Sequence, residues 1–130
     1  MKTWLLYPDE SRDILRAFYH VYNDLGFGFL EKVYENALAI SLRKLGREVI
    51  QQGHLKVYFE EETVGDYFAD LIVDNAVIVE IKAQESLHPA HEAQLLNYLR
   101  ATELELGFLL NFGEVPQFKR KIYSNERKGF

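Results

Sequence analysis

Val77 to Gln84 reads VIVEIKAQ, and the placement of this run decides the fold. Its apolar residues suit a strand bound for the interior, yet Glu80 and Lys82 interrupt it. Ionised side chains taken out of water need a partner or a metal. Just upstream, Tyr67 to Val73 (YFADLIV) has the composition of a second strand, and Asp74-Asn75-Ala76 has that of a hairpin turn. A loop of those three residues pairs Val73 with Val77 and sets Asp70 opposite Glu80. The two-residue period of a strand then places Asp70, Glu80 and Lys82 on one face. Leu71, Val73, Val77, Val79 and Ile81 fall on the other, a wholly apolar set. A loop of two would drive one carboxylate into the core.

Working outward, Ile14, Leu15, Phe18, Val21 and Tyr22 recur at helical spacing and predict a helix over about Asp9–Asp24, broken by Gly26 and Gly28. A second helix is predicted over about Phe29–Leu45, with Leu30, Val33, Ala37, Leu38 and Leu42 as its apolar stripe and Gly46 as its C-terminal cap. His54–Phe59 reads as the first strand, ended by the acidic turn Glu60-Glu61-Glu62. His88-Pro89 opens a third helix reaching about Ala101. Gly107–Phe112 (GFLLNF) reads as a buried strand and Phe118–Tyr123 as a more exposed edge. Helix, helix, three strands, helix and two strands make one mixed α/β domain over residues 1–130, with helices packed against a central sheet.

Composition narrows the function classes. There is no cysteine, which excludes disulfides and thiolate metal sites and suits a reducing cytoplasm. The N-terminal MKTWLLYPDE holds too short an apolar run for a secretory leader, and no later run is long enough to span a bilayer. Net charge is −5, which argues against coating nucleic acid through bulk electrostatics. The segment Gln117–Phe130 is basic (Lys119, Arg120, Lys121, Arg127 and Lys128 against Glu126), but a solvated strand end accounts for it more simply than a phosphate grip.

Two carboxylates at cross-strand distance repel one another, and an oxygen-seeking cation such as Mg²⁺ or Mn²⁺ relieves that. Asp70, Glu80 and Lys82 together have the chemistry of metal-dependent phosphodiester cleavage: the ion activates a water and the lysine neutralises charge at the phosphate. Glu-x-Lys alone says little, since Glu126-Arg127-Lys128 repeats the pattern in a plain tail. A salt bridge on a solvated face explains the same three residues equally well.

Two further stretches bear on that choice. Gly28-Phe-Leu-Glu31-Lys-Val-Tyr34 opens the second helix, and His91-Glu-Ala-Gln94-Leu-Leu-Asn-Tyr98 lies on the third. With YFADLIVDNAVIVEIKA (Tyr67–Ala83), they resemble the GxxExxY protein family of the PD-(D/E)XK nuclease superfamily, from about Ile14 to Phe112. The resemblance implies a restriction-endonuclease-like core, a mixed central sheet flanked by helices. It makes Asp70 and Glu80 metal ligands and Lys82 the catalytic lysine. It adds Glu31 and the backbone carbonyl of Ile81 as further ligands, and Gln94 and Tyr98 as substrate contacts. Tyr22 stands where many members have histidine, which puts a general-base role at that position in doubt. N-terminal charge stabilisation is the structural alternative for Glu31, and capping the simpler role for His88 and His91. With two carboxylates beside it, Lys82 is expected to stabilise charge and position water rather than to abstract a proton. The expected function is Mg²⁺- or Mn²⁺-dependent hydrolysis of nucleic acid, DNA before RNA, without a membrane and with room for a homo-oligomer or protein partner. The alternative is a nuclease-fold binding module with little catalysis of its own.

Overall fold

The computed structural model describes residues 6–128; Met1–Leu5 of the N-terminal stretch and Gly129–Phe130 of the basic segment lie outside the described residues. Helices α1 (Pro8–Leu25) and α2 (Glu31–Lys44) lead into strands β1 (Val49–Phe59), β2 (Glu62–Val73) and β3 (Val77–Lys82). Helix α3 (Pro89–Ala101) crosses over to β4 (Leu106–Phe112), followed by β5 (Pro116–Ile122) and the short α4 (Asn125–Lys128). The sheet runs β1-β2-β3-β4-β5, with β3 and β4 parallel and the other neighbours antiparallel. Among the described residues, no helix is long and apolar enough to cross a membrane.

Two cores sandwich the sheet. On one side Ile14, Phe18 and Val21 of α1 and Tyr34, Leu38 and Leu42 of α2 meet Leu71, Val73, Val77, Val79 and Ile81. These five sheet residues are the apolar set that the three-residue loop predicts, and the pairing Val73↔Val77 is present. On the other side Leu95, Tyr98 and Leu99 of α3 pack on Ile72, Ile78 and Leu109. All seven residues of β4 are buried, as befits a strand covered on both faces.

The helix termini follow local chemistry. Gly26 and Gly28 take φ of 69° and 106°, which end α1 and turn the chain toward α2. Gly46, at φ 86°, follows α2 while the Arg47 amide bonds back to the Leu42 carbonyl, the expected glycine cap. One expectation fails here. Leu30 and Val33 are exposed, and the buried stripe of α2 is Tyr34, Glu35, Leu38, Ala39 and Leu42. The helix begins two residues later than its periodicity suggests, at Glu31, and its inner face carries a carboxylate.

The first strand is also longer than predicted, because Gln51-Gln52-Gly53 hides its continuation to Val49. Gln52 takes φ 54°, left-handed and unfavourable for a residue with a Cβ. The ladder passes from Gln51↔Leu71 to Gly53↔Ala69 without a Gln52–Asp70 pair. Alternation breaks there: Leu71 and Val73 face α1 and α2, whereas Ala69 and Ile72 both join the α3 side. Asp70 therefore sits at a fault in the pleat, a local distortion of the kind that re-aims a side chain.

The basic segment is a solvated strand end in that no residue of β5 is buried, but several of its cations also have partners in the fold. Lys121 pairs with Glu92 of α3 at 2.8 Å, Arg127 lies 4.3 Å from the centre of the Tyr123 ring, and Lys128 donates to the Thr102 and Leu104 carbonyls. These cations fasten β5 and α4 beneath α3.

Arg47 fixes the hairpin. Its Nε donates to Asp13 Oδ2 at 2.8 Å and its Nη1 to Asp74 Oδ2 at 2.9 Å, while Asp74 Oδ1 accepts the Glu48 amide. One guanidinium thus ties α1 to the β2–β3 turn, whose Asp74 and Asn75 both take φ 52°. Asp13 is buried, at 6% exposure, so loss of Arg47 strands a carboxylate. Arg47→Met is expected to destabilise the protein by roughly 2–4 kcal/mol, below the full value for a deeply buried pair because Arg47 keeps some solvent contact. Urea unfolding of the variant against wild type measures this.

Candidate functional site

The β2–β3 pairing stops at Leu71↔Val79, and the two strands part beyond it. Backbone amides that leave a ladder inside a protein need other acceptors. Here the carboxylates supply them. The Asp70 amide donates to Glu80 Oε2 at 2.9 Å, and the Ile81 amide donates to Asp70 Oδ2 at 2.8 Å. Each acid thereby satisfies the opposite strand, which holds both side chains in the fork and directs one oxygen of each away from the backbone. Sequence pairing put Asp70 and Glu80 together; the fork explains how they meet despite the break in alternation at Asp70.

This closeness is unfavourable without a counter-ion. Burial pushes the Glu80 carboxyl up to about 8 from 4.5, and the neighbouring Asp70 charge adds to it; the Asp70 amide and Lys82 pull it back only in part. Lys82 follows on β3, half-buried, opposite Asn111 of β4. Asn111 is fully buried and exchanges two hydrogen bonds with the Gln84 backbone, at 3.0 and 2.9 Å. That exchange ends β3 just past Lys82.

Helix α3 closes the α3-facing side of the fork. Tyr98 is buried, and its hydroxyl accepts from Gln94 Nε2 at 2.8 Å. Burial, then the negative charge of Glu80, pushes the Tyr98 pKa up to about 12, so the hydroxyl keeps its proton. Tyr67 lies against its ring, with centroids 5.3 Å apart. Gln94 and Tyr98 thus stand together beside the acidic pair. His88 and His91 cap α3: His88 Nδ1 accepts the Ala90 amide, and His91 Nδ1 accepts the His88 amide. Desolvation and then the charge of Lys82 lower the His91 pKa, Glu31 opposing, so His91 lies within electrostatic reach of both.

The remaining expected residues divide. Glu31 is the exposed first residue of α2. Tyr34 is structural: its hydroxyl accepts the Phe29 amide and donates to the Gly26 carbonyl, and its ring stacks on Phe112 at 4.1 Å. Tyr22 donates to carbonyls of the β4–β5 turn at Gly113 and Glu114, which is no position for a general base. Two residues were not anticipated. Glu35, buried to 3% exposure, accepts from Lys32, Gln51 and Gln52, and Gln52 Nε2 also reaches Asp70 Oδ1 at 3.5 Å. A charged residue at i+3 and i+4 from the buried Leu38 and Ala39 was the signal for Glu35.

Among the described residues, no group of three or more His, Asp or Glu side chains is arranged to hold a metal ion. The donor set nonetheless fits a hard cation: two paired carboxylates with oxygens to spare, no sulfur, and a charge repulsion that a cation would relieve. Mg²⁺ is commonly held by one or two carboxylates, with water and substrate oxygens completing its shell.

The Glu80 shift has a definite sign. A folded-state pKa above the unfolded one contributes stability that is whole below about pH 4.5 and is lost as pH rises through about 8. In metal-free buffer, Glu80→Gln is therefore expected to be no more stable than wild type at pH 4. By pH 9 it should be more stable, by an amount on the order of a few kcal/mol. Thermal melts of both proteins across this range check the crossing.

Comparison with known proteins agrees with this architecture. The chain matches the family model described as PD-(D/E)XK nuclease superfamily over residues 8–123. The crystal structure of SSO0001 is similar, with a TM-score of 0.54 and 17% identity, covering 91% of this chain and 61% of that one; at this identity the likeness concerns the fold. No curated protein matches the sequence. The family match runs from the start of α1 to just past β5, and the chain belongs to the PD-(D/E)XK nuclease superfamily.

Proposed function

We propose that this protein is a Mg²⁺- or Mn²⁺-dependent nuclease that hydrolyses phosphodiester bonds in nucleic acid, with DNA as the first substrate to test. The observation that carries the reading is the fork, in which Asp70 and Glu80 converge so closely that burial and the Asp70 charge disfavour the ionised form of Glu80. Asp70 and Glu80 would hold the ion, with the Ile81 carbonyl and Glu31 as further candidates on the GxxExxY resemblance. When bound, such an ion lowers the pKa of a coordinated water and draws charge from the phosphate.

The chain's own groups have separable roles. The Ile81 and Asp70 amides orient the two carboxylates. Lys82 would offset negative charge on the phosphate and orient the attacking water. Tyr98 keeps its proton, and its bond from Gln94 leaves that proton free for a substrate oxygen. Absence of cysteine fits action in a reducing cytoplasm.

A second reading, a nuclease-fold binding module, draws support from the lack of a three-acid group among the described residues. Calorimetric titration with Mn²⁺ separates the two. Wild type is expected to bind, and Asp70→Asn, which can still accept the Ile81 amide, is expected to lose binding. Lys82→Met should keep Mn²⁺ binding while cleavage of plasmid, linear or single-stranded DNA falls about 100-fold or more. A folded wild type that binds no Mn²⁺, alone or with DNA, turns the conclusion to the binding module.

A further inference from the structure

One oxygen of Asp70 is held by the backbone, and the other lies at the edge of hydrogen-bond reach of a side chain. Its Oδ2 accepts the Ile81 amide at 2.8 Å, whereas its Oδ1 faces the Gln52 side-chain amide at 3.5 Å. That amide has its short bond elsewhere, to Glu35 Oε1 at 2.6 Å. The other Glu35 oxygen accepts from Gln51 Nε2 and Lys32 Nζ, both at 2.8 Å. A line of contacts therefore runs from Lys32 through Glu35 and Gln52 to Asp70, crossing from α2 over β1 to β2.

We infer that Glu35 and Gln52 are positioning residues that set the Asp70 carboxylate for the metal, an inference resting on the metal-dependent reading proposed above. Two features point this way. Glu35 is nearly fully buried, and a buried carboxylate needs compensation that an apolar residue on the same stripe would not. Gln52 adopts a left-handed backbone, φ 54°, where glycine is the favoured residue. Neither choice serves strand pairing, since the ladder omits Gln52. Together they bring one amide between two carboxylates. One N–H anchors on Glu35, and the other lies toward Asp70, whose rotation it limits. Side chains that orient metal ligands in this way characteristically change metal affinity when removed.

A merely structural role predicts that a change at Gln52 moves stability and leaves metal affinity alone, and Gln52→Gly tests that. Glycine relieves the left-handed backbone but takes the short bond from Glu35 Oε1, so the variant is expected to fold with a modest loss of stability. Its Kd for Mn²⁺, by calorimetry on the full chain, is expected to rise about 10-fold or more. Gln52→Asn, which keeps an amide on a shorter arm, should recover part of that loss. Glu35→Gln alters the charge as well, so the informative comparison is the double variant: Glu35→Gln with Gln52→Gly should weaken binding less than the two single effects combined. In the metal-free protein, the side-chain amide resonances of Gln52 should lose their dispersion in Glu35→Gln. A Gln52→Gly protein that binds Mn²⁺ within about 2-fold of wild type overturns the inference and leaves the metal site standing. A wild type that binds no Mn²⁺ overturns both.

Discussion

The structure turns on a place where backbone pairing gives out. Two neighbouring strands can part within a protein only if something accepts the freed amides, because unpaired buried N–H groups are costly. Beyond Leu71↔Val79 the acceptors are Asp70 and Glu80, each reaching across to the other strand. This one arrangement sets two carboxylates between the parting strands and fixes their orientation. It also explains the charges within VIVEIKAQ. Glu80 is part of the joint between strands as well as part of the site.

The rest of the fold determines where that joint falls. Arg47 binds Asp13 and Asp74 together, so the hairpin turn is anchored to α1, and the turn sets Val73 against Val77. Slipping the register by one residue would turn one strand over and put Asp70 or Glu80 into the core under α1 and α2, a loss no surface interaction could balance. On the far side, parallel pairing of β3 with β4 brings Asn111 beside Lys82, and the bonds between Asn111 and Gln84 turn the chain toward α3. This approach needs glycine at position 113, because a Cβ there would run into the Gln84 carbonyl.

Strong local patterns made most of the fold legible in the sequence. The apolar alternation of Leu71–Ile81 specified both the hairpin loop and the buried face, and the uninterrupted run in GFLLNF specified a doubly covered strand. The failures share a cause, which is that side-chain amides and charges were read as surface. Gln51 and Gln52 conceal nearly the first half of β1, and the charge of Glu35 disguises its burial among Tyr34, Leu38 and Ala39. Leu30 and Val33 erred the other way, being apolar but exposed at the start of α2. Periodicity ranks residues by polarity, whereas the interior here admits a polar residue whenever a partner satisfies it. For Glu35, two of the three partners, Gln51 and Gln52, lie 16 and 17 residues away, beyond any local window.

The same logic distinguishes the two kinds of buried acid in this protein. Asp13 and Glu35 are matched: Arg47 donates to one, and Lys32 and two glutamine amides donate to the other. Each is structurally complete without anything further. Glu80 is different, for its one hydrogen-bond donor among these contacts is a backbone amide, and its nearest charge is another carboxylate. A fold that compensates its other buried acids with cations and amides has the means to compensate this one. That it instead opposes Glu80 with Asp70, and leaves Lys82 with only a small effect on it, is the arrangement on which the proposed divalent-cation site rests. A salt bridge on a solvated face, the rival account of Asp70, Glu80 and Lys82, would have put the lysine closest and would have lowered the Glu80 pKa rather than raised it.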